Sequence, residues 1–181
     1  MSQTPNWLIF SAACVPLMAP VPALAVQYMT TEAAQKLMFP KANLFIPHFV
    51  RLDDAQKEAV ESATGVKMRH AEQPVWQVMV GGKPTGWFVR DEVYGKHEFI
   101  TYAVALDASG AVRGVEILDY RETHGREIIN PKWRAQFTGK RHGATLKLGD
   151  DVQNISGATL SCKHITEGVR RVLAIHQAVL K

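Results

Sequence analysis

Cysteine is nearly missing from this 181-residue sequence, which holds two, Cys14 and Cys162. Two thiols, one of them in a segment that export would remove, cannot build a disulfide framework, so the fold must rest on its hydrophobic core. Metal-ligand spacing is missing as well. None of the seven histidines stands in H-x-x-x-H, H-E-x-x-H or C-x-x-C-H, which argues against a zinc centre or an attached c-type haem. The serine signature G-x-S-x-G is absent around Ser156, where "NISGA" lacks the first glycine, and with it goes the usual sign of a serine hydrolase. No basic run is massed anywhere: the formal net charge is +4, and Lys and Arg are spread from Lys36 to Lys181 among acids, so nucleic acid is not an expected partner. No repeat, low-complexity tract or linker divides the sequence, and its 46% hydrophobic content suffices for one core.

Charge is missing altogether from residues 1–25, and from Trp7 to Val26 almost every residue is apolar or small. Ala23-Leu24-Ala25 has the A-x-A form of a signal-peptidase site, while Pro16, Pro20 and Pro22 disfavour a regular spanning helix. Residues 1–25 therefore read as an export signal or, if retained, an N-terminal membrane anchor. Residues 26–181 read as a single domain in a periplasmic or other extracytoplasmic space.

Within that domain, "TTEAAQKLMF" predicts a short helix capped by Thr30 or Thr31 and stopped by Pro40. "LDDAQKEAVESATG" predicts a second, with Asp53 and Gln56 at capping-box spacing and Gly65 at its end. "PVWQVMVGGKPTGWFV" alternates as a hairpin around Gly81-Gly82-Lys83. "HEFITYAVAL" puts Ile100, Tyr102, Val104 and Leu106 on one face and Thr101, Ala103 and Ala105 on the other, and "AVRGVEILDY" returns as its partner after the turn "DASG". The expected fold is α+β, one antiparallel twisted sheet with helices on one side and a small-residue face covered by a helix. The last element is an amphipathic helix from about Thr159 to Leu180: Cys162, Ile165, Val169, Val172, His176 and Val179 face the sheet, and Lys163, Glu167, Arg170 and Arg171 face solvent. Between sheet and helix lies a polar loop, then a helical stretch with Trp133 and Phe137 at i, i+4 spacing.

The start of that last helix, "NISGATLSCKH", concentrates small residues and hydroxyls. A helix N-terminus offers unpaired N–H groups and about half a positive charge, which suits a phosphate. Gly157 and Ala158 leave space there. Equally, Ser156 or Thr159 could simply cap the helix.

Ser156-Gly157-Ala158-Thr159 resembles the flavinylation motif of the FMN-binding domain family, which includes the G subunit of the Rnf electron-transport complex and the C subunit of the sodium-pumping NADH:quinone reductase. "VALDASGAVRGVEILDYRETHG" is similar to that family's hairpin and its "ETPG" loop, with His124 in place of Pro, and "WRAQFTGK" to the segment after it. The resemblance spans roughly residues 75 to 181. It implies FMN held by a phosphoester on Thr159, donated from FAD by a flavin transferase after export. Ser156, Gly157, Ala158 and Leu160 would complete the cofactor-binding turn, with Glu122 and Thr123 hydrogen-bonding the ring and Tyr120 and Trp133 stacking on it. Tyr94, Gly95, His97 and Glu98 are candidates for the opposite wall. The implied role is an electron carrier working with membrane or extracytoplasmic redox proteins, more than a stand-alone enzyme. Gln153 stands where the family usually has Asp, three residues before Ser156, so a module that binds flavin or another anion noncovalently, or a cofactor-free partner-binding domain, are the alternative readings.

Overall fold

The alternation in residues 73–120 becomes the centre of a six-stranded antiparallel sheet. The computed structural model describes residues 26–180 apart from 69 and 71; residues 1–25, and with them the export or anchor reading, lie outside the described residues. In chain order the strands are β1 (Val26–Gln27), β2 (Leu44–Val50), β3 (Gln73–Val80), β4 (Lys83–Tyr94), β5 (Phe99–Asp107) and β6 (Val112–Tyr120). They lie in the sheet as β1-β6-β5-β4-β3-β2. β2 is not legible in the alternation, because Pro47 and His48 interrupt its apolar pattern. Proline has no N–H for a ladder, and β2 is an edge strand, where that loss is tolerated.

Local signals fix the first two helices. Thr30 accepts the Ala33 N–H at 3.2 Å to open α1 (Thr31–Met38), which ends at Phe39, the residue before Pro40. Asp53 and Gln56 form a reciprocal capping box, with bonds of 2.7 and 2.9 Å, at the start of α2 (Asp54–Thr64). After β6 come a 3₁₀ turn (Arg126–Ile129), the one-turn helix α3 (Pro131–Arg134), a second 3₁₀ turn (Ala135–Phe137) and finally α4 (Thr159–Val179).

Helices cover both faces of the sheet, which corrects the expectation of one. Tyr102, Val104 and Leu106 of β5 pack with Cys162, Ile165, Val169 and Val172 of α4. On the opposite face, Ala103 and Ala105 form a second cluster with Ala34 of α1, Phe39 and Phe88. Both faces of β5 are therefore buried, and the small side chains are what let α1 approach. The two stripes of β5 serve two layers, one stripe for each.

Arg171 is the other correction. Placed on the solvent side of α4 by its spacing, it is 1% exposed, and its guanidinium lies 2.6 Å from Asp91 Oδ2, which also accepts the Tyr102 hydroxyl at 2.6 Å. α4 is flanked by the sheet and by α2, whose Val60 packs with Ala174 and Ile175. A helix covered on two sides buries more than one stripe.

Candidate functional site

Three segments meet at the end of the sheet where β4 and β6 finish and β5 begins. The first is the start of α4. Ala158 occupies the N-cap position and no side chain caps the helix, so Ser156 does not have the capping role its position suggested. The Ala158 N–H donates to Ile155 O at 3.0 Å, closing a tight turn through Ser156 and Gly157, and the Cys162 N–H donates to Ala158 O at 2.9 Å to begin the helix. Gly157 has φ 82°, a conformation that disfavours any side chain, and nothing lies within 4 Å of where its Cβ would be. Thr159 is exposed, and its Oγ1 accepts a hydrogen bond from Asn154 Nδ2 at 3.1 Å. An uncapped 21-residue helix thus presents its positive end and a reachable hydroxyl together.

The second segment is the loop 121–125. Gly125, at φ 85°, is pressed against the helix start: a Cβ there would stand 2.7 Å from Ala158 Cβ and 2.8 Å from the Tyr120 hydroxyl. Ala158 is therefore small because it packs on Gly125, a reason the sequence did not suggest. The third segment is the β4–β5 loop, residues 95–98. Its Lys96, His97 and Glu98 N–H groups all donate to Glu122 Oε1, the last two at 2.6 and 3.1 Å. Burial opposes ionisation of Glu122, but these three donors outweigh it and hold the carboxyl below the usual carboxylate range. Tyr94 braces the same loop, its hydroxyl donating to His97 O at 2.7 Å.

Between the three segments lies a cleft of about 270 Å³, walled by Lys96 and His97, by Glu122 to His124, and by Gly157 to Ser161. The structure thus brings together Glu122, Thr123, Gly157, Ala158, Thr159 and Leu160 from the predicted set, with His97 opposite. Ser156 is exposed on the turn beside them. Tyr120 and Trp133 are not in the walls. Tyr120 is 2% exposed and donates its hydroxyl to His124 O, while Trp133 packs edge-on against Phe137 at 5.3 Å and donates its indole N–H to Gln153 O at 2.7 Å. Both rings belong to the core cluster that also holds Ala158 and Cys162. Lys96 and His124 are wall residues to which sequence reading assigned no role in the site, and Ser161, whose hydroxyl stands with that of Thr159 at the helix start, lines the wall as well. Lys96 sits inside "YGKHEF", and only the meeting of the β4 and β5 ends with α4 brings it into play. Cys162 is a core thiol, as its spacing indicated; burial pushes its pKa up, which disfavours the reactive thiolate.

Residues 95–174 match the family model of the FMN-binding domain, a span that begins at the β4–β5 loop and includes Glu122 and Thr159. This is the family that the two motifs resemble. Across a longer stretch the chain is similar to the G subunit of the Na(+)-translocating ferredoxin:NAD(+) oxidoreductase complex of Acetobacterium woodii, at 27% identity over 165 residues, 84% of this chain and 76% of that one. Its fold is that of the crystal structure of Shewanella oneidensis NqrC, with a TM-score of 0.54 at 17% identity over 79% of this chain and 84% of that one. The cleft thus falls inside the span that matches the FMN-binding domain model, and two of its walls are the two segments whose motifs carried the resemblance, "ETHG" and "SGAT".

Proposed function

We propose that the cleft holds FMN with its phosphate at the start of α4, esterified to Thr159 Oγ1, and that the protein is an extracytoplasmic electron-transfer subunit. The observation that carries this reading is the exposed Thr159 hydroxyl at an uncapped helix end inside a cleft of the FMN-binding domain. The residues present suit the group. The first-turn N–H groups of α4 and the side chains of Lys96 and His97 favour an anion, and the turn at Gly157 is open. A phosphodiester retains one negative charge there, worth a few tenths to about 1 kcal/mol if exposed and about 2 if partly buried. When bound, a flavin supplies one- or two-electron redox chemistry, and the protein's share is to retain and orient it.

Loading is the work of a flavin transferase that uses FAD: Thr159 Oγ1 bonds to the FMN phosphorus, AMP leaves, and the hydroxyl proton is lost. The similarity to the Acetobacterium woodii protein supports membrane or extracytoplasmic redox proteins as partners, and the charge-free residues 1–25 support export. Gln153 motivates a second reading, noncovalent retention. Its backbone is fixed on both sides, N–H to Gln136 Oε1 at 2.8 Å and carbonyl to Trp133, while the residue itself is exposed. The nearby Asp151 cannot stand in for the family's Asp, since its carboxylate takes Lys140 at 2.8 Å and the N–H groups of Leu146 and Lys147.

Co-expression with an exported flavin transferase tests the assignment. A denaturing gel under ultraviolet light should show a fluorescent band that is lost in Thr159→Ala and kept in Ser156→Ala and Ser161→Ala. A dark denatured band from a yellow native protein would favour the noncovalent reading, and a colourless native protein would refute both.

A further inference from the structure

We infer that Glu122 is a positioning residue: its carboxylate folds the β4–β5 loop around itself and so sets Lys96 and His97 as the wall facing Thr159. The inference rests on the reading of this cleft as the flavin site, and it gives Oε1 of Glu122 to the loop and not to the ring.

A single oxygen, Oε1, takes the N–H groups of three consecutive residues, Lys96, His97 and Glu98. Successive N–H dipoles aimed at one point repel each other unless an anion sits at the focus, and in this loop the anion is a side chain of the protein itself. Among the described residues the loop is also tied by Gly95 N–H to Glu98 O at 2.8 Å and by the Tyr94 hydroxyl to His97 O. Residues 96–98 are exposed, so packing does not hold them, whereas Glu122 is 9% exposed. Position 95 fits the same account, because a Cβ on Gly95 would collide with the Glu122 carboxylate. The clamp joins the β4–β5 loop to the segment after β6, which also carries Thr123 and His124 into the cleft. One carboxylate therefore sets two walls relative to each other. The three backbone donors stabilise that carboxylate in its charged form, while Lys96 and the open end of α4 offer positive partners in the cleft walls.

The test uses the full chain and reads the loop before the cofactor. In flavin-free protein, hydrogen exchange of the Lys96, His97 and Glu98 amides should accelerate about tenfold or more in Glu122→Ala, and by less in Glu122→Gln, which keeps a neutral acceptor. Gly95→Ala should loosen the same amides without altering the carboxylate, while β5 and β6 amides stay protected in all three. Unchanged exchange in Glu122→Ala and Gly95→Ala would overturn the clamp. Loading by transferase should then fall about tenfold in Glu122→Ala and partly recover in Glu122→Gln. Normal loading with a loosened loop would overturn the positioning role. Failure of the wild-type chain to take flavin would instead count against the function proposed above, with the exchange result still deciding the clamp.

Discussion

Gly125→Ala tests whether the loop after β6 is truly pressed on the start of α4. Two costs add. Residue 125 has φ 85°, and an L-residue in the left-handed region loses about 1–2 kcal/mol. The new Cβ would also stand 2.7 Å from Ala158 Cβ and 2.8 Å from the Tyr120 hydroxyl. Neither neighbour can turn aside: Ala158 has no side-chain torsion to adjust, and Tyr120 is buried with its hydroxyl bonded to His124 O. Overpacking of this kind costs about 1–3 kcal/mol, so the total should be about 2–5 kcal/mol. Gly139→Ala is the control, since φ there is 81° and nothing lies within 4 Å of the added Cβ; it should show the backbone cost alone, about 1–2 kcal/mol. Urea unfolding of flavin-free protein measures both without any contribution from ligand. Ala158→Gly in the same chain should return part of the Gly125→Ala loss, because it deletes one of the clashing atoms. Equal losses at positions 125 and 139, or strictly additive losses for 125 with 158, would refute the contact.

Further outcomes follow from the buried charges. Arg171→Ala should cost about 3–5 kcal/mol in urea unfolding because it strands the Asp91 carboxylate, whose side chain is 0% exposed. Arg171→Met with Asp91→Leu should recover most of that; a single-mutant loss below about 1 kcal/mol would contradict the pair's geometry. Stability should be flat above about pH 5 and fall in acid, since Asp107, Glu122 and Asp151 are all held below the usual carboxylate range, burial being outweighed by hydrogen-bond donors in each case. The sign follows from the depressed folded-state values. The unfolded chain takes up these protons first as pH falls, and the stabilisation is gone once pH has passed below the folded-state values. Urea midpoints recorded from pH 7 to pH 3 check this, and an unchanged midpoint would contradict it.

Much of this fold could be read locally. Asp53 and Gln56 define the start of α2 because a capping box needs nothing outside four residues. The alternation from Ile100 to Leu106 defines β5 because its two faces meet different layers, although only the packing shows that both layers are helical. The start of α4 at Thr159 was legible from its apolar periodicity. What escaped the sequence depends on distant partners. Arg171 looks solvent-facing until Asp91 and Tyr102 are brought beneath it, and β2 looks irregular until its edge position excuses Pro47. The site divides in the same way. Thr159 and its neighbours form one contiguous motif, whereas Lys96 enters the cleft through a carboxylate 26 residues away in sequence. Ser156 reads as a cap in the sequence because a hydroxyl before a helix is the commonest cap, but here Gly157 turns the chain so that the helix end stays open.

The central claim is that one oxygen, Thr159 Oγ1, retains the flavin. Intact-mass measurement of the denatured, purified protein after co-expression with an exported flavin transferase, followed by peptide mapping, tests it most directly. The account predicts a mass gain of one FMN less water, carried on the peptide containing Thr159 and absent from Thr159→Ala. A gain that persists in Thr159→Ala, or maps to Ser156 or Ser161, would contradict it, as would an unmodified mass from a protein that is yellow before denaturation.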